Sequence, residues 1–264
     1  MNYNLEDLTV LIFTLNEEKN INSLLKSLNW IKKIIIIDCY SIDKTVEIAK
    51  KYTNQIYFIK SKGFVESIRN FGILKVKTEW ILIIDADEYL FNVSKKKIIK
   101  LINNRGIDGY WFSRRQYIND QIYLKHGYFY PDWQLRLFKK NKNYKYSGII
   151  HQPIEIPSRR TKFTQSIIIY HNPSHSKYNS FLSLLRFFKY AKIEGHQLSL
   201  TNISNEKLIM NIVFDTLKHF YRSFIKKKGY LDGYYGFRAA TNYAFYQGLN
   251  SLWALFYRYK LILL

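Results

Sequence analysis

Residues 80–88 read Trp-Ile-Leu-Ile-Ile-Asp-Ala-Asp-Glu, an apolar run that ends abruptly in three acidic side chains. Similar short runs rich in Ile and Val occupy residues 8–13, 33–37 and 55–59. Segments long enough to be helices separate the four runs, at residues 21–28, 41–51 and 65–75. This alternation is typical of parallel strands joined by helical crossovers. The first third therefore predicts the βαβαβαβ half of an α/β domain, with a mostly parallel sheet flanked by helices.

The remaining chain has a different pattern. Residues 109–171 contain short aromatic and β-branched runs broken by turn dipeptides, which predicts irregular strands and loops. Beyond residue 177 the chain is predicted to be helical; apolar side chains recur at four-residue spacing in residues 208–225 and predict one apolar face, and a break follows at residues 226–229. We therefore expect a catalytic domain at residues 1–176, divided into halves at residue 93, and a helical extension at residues 177–264.

The charge is unevenly distributed. The 264 residues include 41 Lys and Arg and 20 Asp and Glu, a net charge of +21. Residues 1–93 hold 12 of each sign, whereas residues 94–264 hold 29 basic and 8 acidic side chains. Such an excess suits nucleic acid, a membrane surface or an anionic substrate. The excess positive charge therefore belongs to residues 94–264, whichever of these partners binds there.

Composition excludes several classes of protein. A hydrophobic content of 47% excludes general disorder, and the single cysteine, Cys39, cannot form an internal disulfide. The first residues lack the basic and apolar regions of a signal peptide, so we expect a cytoplasmic protein. Neither Gly-x-Gly-x-x-Gly nor Gly-x-x-x-x-Gly-Lys-Ser/Thr occurs, which argues against a dinucleotide-dependent dehydrogenase and a nucleotide-hydrolysing fold.

Polar side chains follow three of the predicted strands where each strand ends. They are Thr14, Asn16 and Glu17 after the first, Asp38 after the second, and Asp85 and Asp87 after the fourth. Ligands of open parallel sheets bind beyond the carboxyl ends of the strands. Carboxylates there suit Mg²⁺ or Mn²⁺ bridging a diphosphate, where the ion stabilises the charge of a leaving nucleoside diphosphate.

Several ordered segments carry a resemblance to a known family. They are residues 14–21, 38–49, 69–70, 80–88, 130–132, 136–138 and 229–233. On these segments the chain resembles family 2 glycosyltransferases with the GT-A fold, and more narrowly the bacterial group that extends lipopolysaccharide inner cores. The resemblance spans nearly the whole chain, and four motifs at the ends of predicted strands make it specific.

The resemblance implies roles for the residues at the strand ends. It places Thr14, Glu17 and Asp38 at the nucleoside base and ribose, with Asn16 beside them, and Arg69 near the donor. It further places Asp85 at ribose or metal and Asp87 at the metal. Two positions depart from the family pattern, since Tyr40 replaces a glycine and His151 is followed by Gln152 instead of Glu.

Each of these residues also has a purely structural explanation. Asp38 could cap the next helix, Arg69 could form a surface salt bridge, and the acids after residue 84 could simply end a strand. His151 and His171 follow β-like segments, and either could supply a third metal ligand or be structural. We expect Cys39 to be a packing residue.

The second half predicts the acceptor side. Lys and Arg alternate with Phe, Tyr and Trp in residues 177–264, which suits nucleic acid or a bilayer interface. Beside a nucleotide-sugar site, this favours an inverting transferase that meets a lipid-linked saccharide acceptor at an anionic membrane surface, with no nucleic-acid partner. Residues 239–257 carry no charge but several polar side chains, so we expect a packed or interfacial helix. A nucleotidyltransferase and a nucleic-acid-binding protein remain the alternatives.

An inverting transfer also needs a base, and Asp132 is the predicted one. It follows Tyr130-Pro131, where proline stiffens the chain, and precedes the apolar run at residues 135–138. The alternative for Asp132 is a cap on a short turn. The seven other acids of residues 94–264 lie in turns, in the helical region or beside the His151-Gln152 departure.

Overall fold

The computed structural model describes residues 2–91, 95–118, 122–149, 151–171 and 181–259. The chain forms two compact units. The sheet unit comprises residues 1–114 and 133–171, and the helical unit comprises residues 115–132 and 172–264.

An eight-stranded sheet is built from the described residues. Its strands are β1 Leu8–Thr14, β2 Ile34–Asp38, β3 Ile56–Phe58, β4 Trp80–Asp85, β5 Glu88–Phe91, β6 Gly109–Gln116, β7 Asp132–Lys139 and β8 Thr161–His171. The helices of this part are α1 Ile21–Ser27, α2 Thr45–Ala49, α3 Glu66–Lys75 and α4 Lys95–Ile102. The strand order is β3-β2-β1-β4-β7-β6-β8-β5. Neighbours among β1 to β4 run parallel, whereas β4 with β7 and β5 with β8 run antiparallel. The α/β prediction is therefore confirmed.

The central strands are buried on both faces. In β1, Leu8, Val10 and Ile12 join a cluster completed by helices α1 and α4. Leu11 and Phe13 join a second cluster that includes residues of α3. Strands covered on both faces have continuous apolar sequences, which is why the first third of the sequence predicts them.

One prediction about local structure is wrong in detail. The second helix begins at Thr45, not at residue 41. The Ser41 hydroxyl donates to Asp38 within the preceding loop, and the Asp43 side chain accepts a hydrogen bond from the Thr45 backbone N–H where the helix starts. The region predicted to hold irregular strands and loops contains the three strands β6, β7 and β8, with loops and 3-10 turns between them.

The helical unit contains three long helices. They are α5 Phe181–Ser199, α6 Asn205–Phe220 and α7 Gly233–Arg258. A π-helical turn, Tyr221–Lys226, extends α6, and a 3-10 turn, Gly229–Asp232, precedes α7. The predicted break near residues 226–229 is thus confirmed. Across residues 2–259 as far as described, no helix is long and apolar enough to cross a membrane.

Glycines allow these helices to pack closely. A Cβ atom at Gly195 of α5 would meet Trp253 and would lie 2.8 Å from the carbonyl oxygen of Asn250 in α7. A Cβ atom at Gly248 of α7 would lie 2.8 Å from the carbonyl oxygen of Ile212 in α6. Helix α7 therefore contacts α5 and α6 backbone to backbone, at positions where a larger side chain would force the helices apart.

Candidate functional site

The carboxyl ends of the parallel strands share one edge of the sheet. Thr14 pairs with Asp38 across β1 and β2, and Phe13 pairs with Asp85 across β1 and β4. The structure therefore brings Thr14, Asp38 and Asp85 to the same edge.

Asp38 and Thr14 are buried polar side chains of this edge. The Asp38 carboxylate is completely buried and accepts hydrogen bonds from the Ser41 backbone N–H at 2.8 Å and the Ser41 hydroxyl at 2.6 Å. The Thr14 hydroxyl is also buried, and within the described part of the chain it has no hydrogen-bond partner. A buried hydroxyl without a partner costs about 1–3 kcal/mol, so Thr14 has the chemistry of a ligand contact.

The loops after β1 and β2 are hydrogen-bonded to each other. The Asn16 backbone N–H donates to the Ser41 hydroxyl at 2.9 Å, and the Ile42 backbone N–H donates to the Asn16 side-chain oxygen at 2.9 Å. The Glu17 backbone N–H donates to the Thr45 hydroxyl at 2.7 Å. Asn16 and Glu17, both predicted site residues, therefore lie on one cross-linked pair of loops at the edge.

Tyr40 stands out on this surface. Its backbone has φ +63°, in the left-handed region that favours glycine, which agrees with its replacement of a glycine in the family pattern. Its side chain is half exposed, and its ring centroid lies 5.7 Å from that of the similarly exposed Phe58. An exposed aromatic pair thus borders the Asp38 end of the edge.

Asp85 lies between two buried arginines. Its carboxylate accepts from Nη2 of Arg136 at 2.6 Å and from Nη2 of Arg69 at 3.3 Å. Burial by itself would raise the pKa of Asp85, but the positive charges of Arg136 and Arg69 outweigh it and lower that pKa to about 2. Asp85 is therefore an ionised carboxylate already engaged by two guanidinium groups.

Arg136 also anchors the other end of the acidic motif. The same Nη2 lies 2.6 Å from Oε1 of Glu88, which is completely buried and also accepts from Arg114 at 3.0 Å. The Asp85 backbone N–H donates to Glu88 at 3.3 Å. The sequence interpretation assigned no role to Arg136, Arg114 or Glu88. The available signal was a single charged residue inside the apolar run at residues 135–138.

Arg69 is held by aromatic rings. Its guanidinium carbon lies 5.5 Å from the Phe13 ring centroid and 5.3 Å from the Tyr146 ring centroid. The side chain of Asn70, the next residue, accepts from the Tyr146 backbone N–H and donates to the Tyr146 carbonyl oxygen. The predicted Arg69 is thus a fixed part of the Asp85 surroundings.

Two of the predicted metal ligands meet at the end of the sheet. Nε2 of His171 lies 3.4 Å from Oδ2 of Asp87, because Glu88 and His171 pair across β5 and β8. His151 lies on an exposed turn, where its backbone N–H donates to Glu66 at 3.2 Å. No group of three His, Cys, Asp or Glu side chains within the described ranges is arranged to hold a metal ion.

The Asp87–His171 pair fits the predicted ion in its chemistry. Mn²⁺ accepts both carboxylate oxygen and imidazole nitrogen, and Mg²⁺ usually binds one or two carboxylates while phosphate and water complete its coordination. Asp85 fits less well as a ligand, since both of its oxygens already accept hydrogen bonds from arginine.

Comparison with known families decides the class of protein. Residues 9–188, more than half of the chain, match the family described as Glycosyl transferase family 2. The chain belongs to glycosyltransferase family 2.

A curated relative matches part of this family 2 glycosyltransferase. It is 31% identical over 180 residues to the SPbeta prophage-derived glycosyltransferase SunS of Bacillus subtilis (strain 168), covering 66% of this chain and 42% of SunS. The chain thus spans about two fifths of the length of the curated relatives it matches.

Solved structures are more distant. Residues 1–349 of S. aureus TarS, in complex with UDP-GlcNAc, share 14% identity, with a TM-score of 0.47 over 96% of this chain and 92% of that one. Glucosyl-3-phosphoglycerate synthase from Mycobacterium tuberculosis, in complex with Mn²⁺, UDP and its product, shares 18% identity, with a TM-score of 0.35 over 41% of this chain and 44% of that one.

The helical unit of the glycosyltransferase holds the predicted base. Asp132 begins β7, and its Oδ2 accepts a hydrogen bond from the Gln116 side-chain amide at 2.6 Å. That bond fixes one carboxylate oxygen of Asp132.

A second acid of the helical unit, Asp232, holds a loop in place. Its carboxylate accepts from the backbone N–H groups of Lys125 at 2.9 Å and His126 at 2.8 Å, and it lies 2.9 Å from Nδ1 of the His126 ring. Both side chains line a pocket of about 390 Å³ together with Tyr123 and Tyr235. Asp232 therefore ties residues 125–126 to the start of α7, a role that its place in the motif at residues 229–233 did not reveal.

Proposed function

We propose that this family 2 glycosyltransferase transfers a sugar, with inversion, from a nucleotide-sugar donor to a lipopolysaccharide core or a related lipid-linked saccharide. The donor is a UDP-sugar, and the reaction depends on Mg²⁺ or Mn²⁺. The observation that carries the proposal is the convergence of Thr14, Asp38, Asp85 and the Asp87–His171 pair on one end of the sheet.

The nucleoside would bind along the cross-linked loops. The buried Thr14 hydroxyl gains a partner when a base or ribose atom reaches it, and Asp38 accepts hydrogen bonds from the same group. Asn16 and Glu17 border this position. The exposed rings of Tyr40 and Phe58 offer an apolar face to a flat base.

The diphosphate would lie toward the acidic motif. Asp87 and His171 would hold the divalent ion, which when bound stabilises the negative charge of the departing UDP. We assign Asp85 to the ribose, because a carboxylate engaged by Arg69 and Arg136 can still accept a hydroxyl hydrogen bond. We also propose His151 as a metal ligand.

Inversion requires one displacement at the anomeric carbon. The acceptor oxygen attacks that carbon as its bond to the UDP oxygen breaks, and the acceptor proton passes to a base. We assign Asp132 as that base, since an ionised carboxylate accepts protons and Gln116 holds this one in place.

We assign acceptor binding to the basic and aromatic part of the protein, residues 94–264. The 29 basic and 8 acidic side chains of residues 94–264 suit an acceptor embedded among anionic lipids. We therefore place the reaction at the cytoplasmic face of the membrane, with the protein bound peripherally to an anionic surface.

The decisive test is donor turnover. Purified protein is incubated with a panel of nucleotide sugars in Mg²⁺, Mn²⁺ or EDTA, and release of nucleoside diphosphate is measured. We expect slow hydrolysis of a UDP-sugar that EDTA abolishes, and a raised melting temperature with UDP plus Mn²⁺. Protection by RNA at moderate salt, with no donor hydrolysed and no effect of UDP, would refute the proposal.

A further inference from the structure

Helix α6 and the π-helical turn after it carry two apolar faces. One face is covered, since Leu208 and Ile212 pack with Ala254 and Leu255 of α7. Among the described residues, the side chains of the other face are exposed along the whole length of α6 and the turn.

The open face consists of two rows at four-residue spacing, which we call the exposed α6 face. The first row is Ile209, Val213, Leu217, Tyr221 and Ile225, and the second is Met210, Phe214, Lys218, Arg222 and Lys226. The seven apolar or aromatic members are between 46 and 61% exposed. The second row changes from apolar to basic at Lys218, so three cations follow one another beside the apolar row.

We infer that the exposed α6 face is the surface by which this protein lies on an anionic lipid bilayer. A contiguous apolar face of this length is unusual on a protein that has no partner for it. An interfacial helix characteristically combines an apolar stripe that enters the acyl boundary with cations at the level of the headgroups. Both elements are present here in one continuous helical segment.

Charge selects the bilayer over a second copy of the chain. In a symmetric dimer through this face, Lys218, Arg222 and Lys226 of each copy would be buried either against the cations of the other copy or against its apolar side chains, and both arrangements are unfavourable. Asp215 compensates only the first of these, through a 3.1 Å contact with Lys218. Anionic lipid headgroups neutralise all three and leave the apolar row buried.

The inference names the contact surface of the membrane partner in the proposed function, but it depends only on the helical unit. Vesicle binding needs no donor, metal or acceptor. Failure of vesicle binding with donor hydrolysis intact would therefore overturn this inference and the proposed membrane attachment but leave the proposed sugar transfer standing, and the reverse result would overturn only the enzymatic proposal.

The experiment is co-sedimentation of the full chain with vesicles. We expect binding to phosphatidylcholine mixed with phosphatidylglycerol, weak binding to phosphatidylcholine alone, and release as salt rises, because exposed charges are screened beyond about 8 Å at physiological ionic strength. The double variant Val213→Asp/Leu217→Asp should lower the bound fraction at least about tenfold. Arg222→Glu/Lys226→Glu should remove the preference for phosphatidylglycerol.

Controls separate docking from folding. Leu74→Asp makes the same change at an exposed leucine of the sheet unit and should bind vesicles like the wild type. Circular dichroism shows whether the aspartate variant is folded. If it is not, Val213→Ser/Leu217→Ser replaces it, because this variant removes the apolar side chains without changing the charge. Wild-type levels of binding by a folded Val213/Leu217 variant would overturn the inference. So would a dimer in solution that the same substitutions dissociate, since the face would then be a self-association surface.

Discussion

Replacing Arg136 by methionine should destabilise the sheet unit. Methionine keeps much of the aliphatic stem but removes the charge that lies 2.6 Å from both Asp85 and Glu88. Removing one partner of a buried ion pair leaves an uncompensated buried charge and costs about 3–5 kcal/mol. We expect a loss of this size at neutral pH.

The structure also predicts how that loss depends on pH. The pKa of Asp85 falls from 3.8 to about 2, which corresponds to about 2 kcal/mol in favour of the folded state. Because the folded pKa is the lower one, this contribution is present above about pH 4 and is lost as pH falls toward 2. Without Arg136 the pKa of Asp85 rises, so the carboxylate can take up a proton. The cost of the substitution should therefore shrink between neutral pH and about pH 4.

Urea unfolding followed by tryptophan fluorescence measures both effects. Four of the five tryptophans lie in the sheet unit, namely Trp30, Trp80, Trp111 and Trp133. With a slope of about 3 kcal/mol per molar urea, a loss of about 3–5 kcal/mol should lower the midpoint by about 1–1.7 M. The control is Lys32→Met, which removes an exposed ion pair with Glu6 and should leave the midpoint unchanged. Equal shifts in the two variants, or a loss that does not vary with pH, would refute the reasoning.

Three further substitutions test other parts of the molecule. Asp87→Ala should abolish the rise in melting temperature that Mn²⁺ plus UDP produces while leaving the melting of the free protein unchanged; undiminished protection would remove Asp87 from the metal site. Asp132→Asn should bind UDP normally but transfer sugar about 10²–10⁴-fold more slowly, and near wild-type transfer would shift suspicion to His151 or Glu155. Gly195→Ala should destabilise the helical unit by about 1–3 kcal/mol, measured by thermal melting, since its Cβ would collide with α7; unchanged melting would contradict the close packing.

The parallel part of the fold could be predicted from sequence because its information is local. The strands at residues 8–13 and 80–84 are apolar except for Thr9, as expected of strands covered on both faces, and the observed β1 and β4 extend them by one residue each. The second helix was less predictable. Ser41 and Asp43 are both good helix-capping residues, but only Asp43 bonds the start of the helix, at Thr45, while the Ser41 hydroxyl donates to Asp38.

Some residues of the candidate site could likewise be predicted from local sequence, whereas others depend on how distant strands pair. Thr14, Asp38 and Asp85 could be grouped in advance because the ends of parallel strands meet at one edge. The contact of Arg136 with Asp85 spans 51 positions and depends on β7 pairing antiparallel with β4, which no local pattern reveals. The proximity of His171 to Asp87 likewise depends on the pairing of β5 with β8.

The helical part shows a different gap between sequence and structure. Four-residue spacing in α6 correctly indicated apolar rows, and it predicted a single apolar face. The structure has two, one led by Leu208 against α7 and one led by Ile209 toward solvent. Periodicity identifies rows of side chains but not which row another helix covers.

The contacts of Arg136 with both Asp85 and Glu88 restrict the backbone between those two residues. Asp85 and Glu88 are both fixed by one guanidinium group, so only two residues of chain, Ala86 and Asp87, connect two anchored points. The backbone at Asp87 therefore has few conformations left to lose on binding the proposed cation, so that binding would carry a smaller loss of conformational entropy. Loosening the anchor at Arg136 should therefore slow cation capture and weaken it even though Arg136 need never touch the ion.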